Sequence, residues 1–319
     1  MRVLVIGGTG FIGYKVVEKL VLRNQKVVVM SRRSRVFPEE FSGKVESVTG
    51  DIREFSDIMR VLRDFKIDSI INIAYALTAE GEANPLAAIQ VNCLGACNIF
   101  EAARLFNVKR VIFCSSIAAY GNQECYGDRP VTEEDILMKP AFLYGATKML
   151  TEFVASRYEK KYGLEAPILR ISCVYGLGRE ERGLTAWTSE IISSVVRGKS
   201  VLIPVPSEMP ASFISISDVA EQIARICLLE KLHYKVYNSG GCTAKVKEFS
   251  EIAKRYYPDA NIKYDENASP WPYVYKIDGA RIANEINYGV RDLHGGLVKM
   301  LNQERHSLGL KPLKIENYT

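Results

Sequence analysis

Tyr144 and Lys148 stand four residues apart in the segment Tyr144-Gly145-Ala146-Thr147-Lys148. On a helix that spacing puts both side chains on one face. An ammonium held near a phenol favours the phenolate and lowers its pKa from about 10. Upstream, Ser115-Ser116 closes an apolar, strand-like run. The Ser116 hydroxyl can hold a substrate oxygen beside the phenol, and the three groups together make a proton-transfer site for alcohol and carbonyl chemistry. Tyr and Lys at this spacing occur by chance on many helices, so the pair takes its meaning from the elements around it.

The first of those elements is Gly7-Gly8-Thr9-Gly10-Phe11-Ile12-Gly13, directly after an apolar run and at the start of a helical pattern. Glycines at 7, 10 and 13 let the turn tighten and let backbone amides approach a pyrophosphate at the helix N-terminus. Gly13 also lets that helix pack closely on the sheet. Gly7, Thr9, Gly10, Phe11, Ile12 and Gly13 are therefore expected to seat a dinucleotide. The end of the second strand selects which one. NAD sites usually place a carboxylate there for the ribose, whereas this chain has Met30-Ser31-Arg32-Arg33. A 2′-phosphate needs cations and hydroxyl donors, so Ser31, Arg32 and Arg33 favour NADP over NAD. Arg35 belongs to the same cationic cluster. Asp51, after the third strand, is expected near the adenine.

These motifs need a frame. Strands are expected at Arg2–Ile6, Lys26–Met30, Lys44–Thr49, Ser69–Ile73, Arg110–Cys114 and Ala166–Ile171. Helices are expected at Phe11–Arg23, Glu54–Asp64, Asn84–Phe106 and Ala141–Tyr162. Alternating β and α elements, with strands apolar on both faces, imply an α/β, Rossmann-type doubly wound parallel sheet. Beyond Cys173 the rhythm loosens. A helix is expected at Leu184–Arg197, an extended connector at Ser200–Pro210, a strand at Phe213–Ile216, and a helix capped by Ser217. Val236–Asn238 reads as a further strand of the main sheet. Smaller helices are expected at Val246–Tyr257, Gly279–Ile286 and Leu293–Asn302. The domain reading is residues 1–172, with returns near 213–240, for the dinucleotide, and residues 173–319 for a smaller α/β substrate lobe.

The chain has 319 residues, 47% of them apolar and 25% charged, with a net charge of +5. These are ordinary globular values, and no basic stripe points to nucleic acid. Seven cysteines without a paired spacing, and no leader-like start, point to a reducing cytoplasm. No run reaches the roughly 18 apolar residues of a membrane span. The three histidines and the Cys93/Cys97 pair have no metal-ligand spacing, so no metal is expected.

Together these residues resemble the extended short-chain dehydrogenase/reductase family, in its NAD(P)-dependent epimerase/dehydratase branch. The likeness runs through the Gly7–Gly13 cradle, Gly50-Asp51, Val91-Asn92-Cys93-Leu94-Gly95 and Ser115-Ser116-Ile117-Ala118-Ala119-Tyr120-Gly121. It continues through Tyr144–Lys148, Leu169-Arg170, Val174-Tyr175-Gly176 and Asp218-Val219-Ala220. The resemblance implies that Tyr144 is the acid/base, that Ser116 is the catalytic hydroxyl, and that Lys148 binds the nicotinamide ribose and tunes Tyr144. It makes Asn92 a cofactor-site candidate, and Ile52 and Ala74 are assigned to the cofactor site with it. It also implies a homodimer through the long helices. Where dehydratases carry Thr-Asp-Glu, this chain has Ser116-Ile117-Ala118, which argues against dehydration.

Relatives acting on nucleotide sugars carry polar residues against the substrate diphosphate where this chain has Cys173, Ala211 and Ala268-Ser269-Pro270-Trp271. Arg179, Arg182 and Lys199 are possible substitutes. The stretch Trp271-Pro272, Ile277-Asp278 and Ala280-Arg281 instead resembles the branch that handles small hydroxy or amino acids. The substrate pocket is placed among Tyr75–Thr78, Ser116, Tyr144, Cys173, Thr185 and Trp187. The leading expectation is an NADP-dependent oxidoreductase/epimerase that transfers hydride at a carbinol or ketone carbon of a small polar substrate. A nucleotide-sugar 4-epimerase with tightly held NAD(P) is the alternative within enzymes. A catalytically silent NADP-sensing scaffold is a third reading, set against the retention of Ser116, Tyr144 and Lys148.

Overall fold

Strand formation follows from short β-branched runs that are apolar on both faces. The computed structural model describes residues 1–136, 139–179 and 184–313. Along the first half run β1 (Arg2–Ile6), α1 (Phe11–Val21), β2 (Lys26–Ser31), β3 (Val45–Thr49), α2 (Phe55–Asp64) and β4 (Ser69–Asn72). Then come α3 (Thr78–Ala83), α4 (Pro85–Ile89), α5 (Gly95–Leu105), β5 (Arg110–Ser116), α6 (Leu143–Tyr162) and β6 (Ile168–Ile171). The second half adds β7 (Cys173–Tyr175), α7 (Trp187–Val196), β8 (Val201–Ile203), β9 (Pro210–Ser215), α8 (Ile216–Leu228) and β10 (Val236–Asn238). It ends with β11 (Cys242–Lys245), α9 (Val246–Tyr256), β12 (Ile262–Tyr264), α10 (Ala280–Ile286) and α11 (Leu293–Ser307).

The main sheet is parallel throughout, in the order β3-β2-β1-β4-β5-β6-β10. Side chains alternate across it as a strand requires. Val3, Val5, Val27 and Val29 pack under α1 and α8, while Leu4, Ile6, Val28 and Met30 pack under α2 and α5. The strand order reverses at β1, which lies between β2 and β4, and this opens a crevice at the carboxyl ends of the strands. The rest of the chain builds a smaller lobe from a β11-β9-β7 sheet, a β12-β8 pair and helices α7, α9 and α11 around an aromatic centre. In that centre the Phe213 and Phe249 rings lie 4.6 Å apart, and Trp187 and Phe249 5.1 Å apart.

Several expectations change here. The single helix expected at Asn84–Phe106 is interrupted. Asn84 caps α4 by accepting from the Ala87 N–H at 3.1 Å, Pro85 takes the first helical position, and residues 90–94 form a π-helical turn before α5. The Pro85–Leu105 stretch is long and apolar enough to cross a bilayer by composition, contrary to the expectation of no such run. In this fold Ile99, Phe100, Ala102 and Ala103 are buried against α2 and the sheet. Ser215, not Ser217, caps α8. The expected connector at 200–210 contains β8, which pairs with β12. The last helix runs on to Ser307. Arg182 and Gly183 lie outside the described residues.

A buried polar network ties α6 to the sheet. Arg170 on β6 donates to the Glu152 carboxylate of α6 at 2.7–3.1 Å, and Glu152 also accepts from Ser115 at 2.5 Å. Arg170 reaches the Tyr120 hydroxyl at 2.6 Å, and that hydroxyl meets Asn238 of β10 at 2.9 Å. Removing one partner of a buried ion pair strands a charge, whereas replacing both with apolar groups does not. Arg170→Met is therefore expected to cost about 3–5 kcal/mol in urea unfolding. The Glu152→Leu/Arg170→Met double variant is expected to cost clearly less, and equal losses would contradict this account.

Candidate active site

The cradle forms because a short turn must reverse β1 into α1. Gly7 takes φ +84°, Gly10 precedes the first turn of α1, and the Gly10 N–H donates to the Gly7 carbonyl at 3.0 Å. A Cβ at Gly13 would lie 2.2 Å from that same carbonyl, so only glycine lets α1 start this close to the loop. From here a cavity of about 770 Å³ extends to the carboxyl ends of β4, β5 and β7. Gly7, Thr9, Gly10, Phe11, Ile12 and Gly13 all line it. A half-open trough that starts at a helix N-terminus and is walled there by glycines fits a dinucleotide.

At the end of β2 the structure redistributes the expected roles. Arg35 lines the cavity, donates to the Thr9 carbonyl at 3.1 Å and stacks on Tyr14 at 4.3 Å from its ring centroid. Arg32 and Arg33 are exposed and outside its wall, and the Ser31 hydroxyl donates to the Arg33 carbonyl at 2.6 Å. The Asp51 carboxylate accepts from Arg53 at 2.6–3.1 Å, which holds its carboxyl below the usual range. Ile52 is buried beneath Gly95, and Ala74 packs against Gly7.

At the other end, β5 delivers Ser116. Its hydroxyl caps a short 3-10 turn at Ile117–Ala119, accepting from the Ala118 N–H at 3.2 Å. The first turn of α6 lies on that turn so closely that a Cβ at Gly145 would come within 2.3 Å of the Ala118 carbonyl. This contact brings Tyr144 into the same part of the cavity wall as Ser116. Lys148, one turn on, is buried and donates to the Cys114 carbonyl at 2.5 Å. Tyr75, Thr78, Ser116, Tyr144, Lys148, Cys173 and Thr185 all line the cavity.

The electrostatics differ from the simple pairing of ammonium and phenol. Burial raises the Tyr144 phenol well above its ordinary value, and the nearby Ser116 hydroxyl and the Arg179 charge only partly oppose it. Burial likewise pushes the Lys148 ammonium down to about 7. The expected lowering of Tyr144 by Lys148 is therefore outweighed by desolvation. In this state Tyr144 is a neutral phenol, a form that can donate a proton.

Asn92 and Trp187, like Ser31, Arg32, Arg33, Asp51, Ile52 and Ala74, lie outside the cavity wall. Asn92 is fully buried. It accepts from the Ala76 N–H at 2.8 Å and donates to the Ala76 carbonyl and the Thr147 hydroxyl, each at 3.1 Å. It thus fixes the loop after β4 onto α6 and stays out of the cavity wall. Trp187 is buried in the aromatic centre of the smaller lobe, because its helix turns that face toward Phe249 and not toward the crevice. Conversely, Tyr273 lines the cavity, its hydroxyl 3.5 Å from that of Thr78. Its one signal in the sequence is its place directly after Trp271-Pro272. Arg179 also lines the cavity, donates to the Val174 carbonyl at 3.3 Å and lies over the Phe11 ring.

A parallel sheet with a glycine cradle at its switch point, a crevice and a Ser/Tyr/Lys cluster defines the class of nicotinamide-dependent oxidoreductases and epimerases. The model of the NAD dependent epimerase/dehydratase family matches residues 3–240. The chain belongs to this family, within the extended short-chain dehydrogenase/reductases, and is an NAD(P)-dependent oxidoreductase/epimerase. A putative UDP-glucose 4-epimerase of Methanocaldococcus jannaschii is 28% identical over 253 residues, covering 79% of this chain and 81% of that protein. The crystal structure of Thermus thermophilus UDP-glucose 4-epimerase in complex with NAD superposes with a TM-score of 0.81 at 25% identity, covering 96% of this chain and 99% of that one. L-threonine dehydrogenase of Clostridium difficile reaches a TM-score of 0.85 at 22% identity, covering 96% and 98%; this last likeness is one of fold.

The Gly145 contact is directly testable. Gly145→Ala is expected to push α6 away from Ala118 and to lower kcat by about 100-fold. The accompanying stability loss should be about 1–3 kcal/mol. Unchanged kcat in a folded variant would show that the phenol does not depend on this close approach.

Proposed function

We propose that this chain is an NADP-dependent oxidoreductase that interconverts a carbinol and a ketone on a small polar, anionic substrate. The observation that carries this reading is that Ser116, Tyr144 and Lys148 line the same cavity as the glycine cradle. The cofactor, when bound, supplies or accepts the hydride. The chain's own part is the proton. Ser116 and Tyr144 hold the substrate oxygen, Tyr144 gives or takes its proton, and Lys148 supports the phenol from the next turn of α6. Residues 1–172, with the returns near 213–240, seat the dinucleotide, and residues 173–319 close over the substrate.

The substrate reading rests on what lies beyond the phenol. Cys173, Thr185, Thr78 and Tyr273 line this part of the wall, with Arg179 as its cation. The Arg179 charge acts on both Tyr144 and Cys173, so an anionic group of a short hydroxy acid or sugar acid can meet it while the carbinol meets Tyr144. The preference for NADP rests on the lack of a carboxylate at the end of β2 and on Arg35 in the wall. A homodimer is supported by Leu86, Ile89, Leu94, Leu150 and Phe153, exposed apolar residues along α4, the π-helical turn and α6. A cytoplasmic enzyme fits the scatter of its seven cysteines.

A second reading, a nucleotide-sugar 4-epimerase with retained NAD(P), is favoured by the names of relatives such as that of Methanocaldococcus jannaschii. Against it, Cys173 stands where the family resemblance implies an amide for a nucleotide-sugar substrate, and Ala211 is buried in the smaller lobe. A panel of short hydroxy acids, sugar acids and UDP-hexoses separates the two. The lead reading expects stoichiometric NADPH formation or consumption, falling by about 100-fold or more in Tyr144→Phe. Epimerisation of a UDP-hexose without net dinucleotide change would replace it with the second reading. For the cofactor, NADPH is expected to bind more tightly than NADH in fluorescence titration, and Arg35→Ala is expected to narrow the ratio by about tenfold. Equal affinities in the unsubstituted protein would contradict the NADP assignment.

A further inference from the structure

Lys148 is a buried cation whose counter-charge is already engaged. The titratable groups facing it are the Cys114 thiol on β5, Glu152 on its own helix, and the phenols of Tyr75 and Tyr144. Glu152 is held by Arg170 at 2.7 Å and by Ser115 at 2.5 Å. The Cys114 thiol is buried and pushed up to about 12, so it stays neutral. Burial, only partly offset by Cys114 and Glu152, pulls the ammonium down to about 7.

Three aromatic rings surround it instead. The Lys148 ammonium lies 3.1 Å from the Tyr75 ring centroid, 4.9 Å from that of Phe113 and 5.5 Å from that of Tyr144. Tyr75 packs edge-to-face on Tyr144, with centroids 5.9 Å apart at 88°, and at 6.0 Å from Phe113. The Tyr75 hydroxyl is fastened to α6 itself, 3.1 Å from the Thr151 hydroxyl and 3.4 Å from the Thr147 carbonyl. Next to it, Asn92 pins Ala76 through both its backbone N–H and its carbonyl. The ring is therefore fixed with its face to the cation. Attraction between an ammonium and an aromatic face is strongest where water is excluded.

We propose that Tyr75 is a positioning residue: with Phe113 and Tyr144 it forms an aromatic cage that keeps Lys148 charged and holds it at the Cys114 carbonyl. The inference deepens the reading of Lys148 as the functional cation, and it gives Tyr75 a part other than substrate contact. The cage opposes the effect of burial, so removing a wall lowers the pH at which Lys148 loses its proton. Groups that need the ammonium then fail earlier on the alkaline side.

The test uses the full chain with Tyr75→Leu, Tyr75→Phe and Lys148→Met. The Lys148 titration is followed by NMR of ¹³Cε-labelled lysine without cofactor, and NADPH affinity is followed by fluorescence from pH 6 to 10. Tyr75→Leu is expected to move the Lys148 titration, and with it the alkaline limb of NADPH binding, down by about 1 to 1.5 pH units. Tyr75→Phe keeps the ring and is expected to stay close to the unsubstituted protein. A Tyr75→Leu titration that coincides with the unsubstituted protein overturns the cage, as does a Tyr75→Phe shift equal to that of Tyr75→Leu. If Lys148→Met leaves NADPH affinity and turnover intact, the functional reading of Lys148 fails, while the NMR titration still decides whether the cage exists.

Discussion

The site depends on how closely the first turn of α6 lies on the end of β5. Gly145 leaves no room for a side chain against the Ala118 carbonyl. On either side of that contact, Tyr144 joins Ser116 in the cavity wall and Lys148 meets the Cys114 carbonyl. Further along the helix, Glu152 is locked to Ser115 and Arg170. One helix–strand contact thus sets phenol, ammonium and hydroxyl together, and the buried ion pair keeps the helix from sliding. Pre-placement of this kind is worth far more to a reaction than contact area, because it removes the cost of orienting the groups.

Low solvation then decides the chemistry. The phenol, the ammonium and the thiols of Cys114 and Cys173 are all shifted toward their neutral forms by burial. A neutral phenol suits donation to a carbonyl oxygen, and an ammonium held by ring faces and a carbonyl avoids the need for a carboxylate in the cavity. Arg179, Tyr273 and Thr78, also on the wall, come from the segment after β7, from the chain before α10 and from the start of α3. The proposed dinucleotide end and substrate end therefore come from different parts of the fold.

Much of this frame was legible in the amino-acid sequence. Strands such as Val3–Ile6 and Val27–Met30 are apolar on both faces, which only a covered sheet explains, and the cradle, Ser116 and the Tyr144/Lys148 pair stand in the order the fold needs. What stayed hidden depends on direction and burial. Spacing cannot tell which of Arg32, Arg33 and Arg35 turns inward, nor that Trp187 faces Phe249. The helix at 84–106 looked continuous because Pro85 is acceptable at a first helical position and a π-helical turn leaves no mark in composition. The phenol's shift was misjudged because a one-dimensional reading sees the neighbouring charge but not the missing water. Tyr75 and Tyr273 lie far from Tyr144 in sequence, and only the folded chain brings them to it.

The central claim is that this end of the sheet transfers a hydride to or from a substrate carbon and a proton to or from the oxygen on that carbon. A single-turnover reaction with NADPH deuterated at the transferable position of the nicotinamide, offered a panel of short keto acids, tests it most directly. The account predicts deuterium on the new carbinol carbon of the product and a proton from water on its oxygen. Deuterium that remains on the dinucleotide with every ketone, while the protein binds NADPH normally, would contradict it.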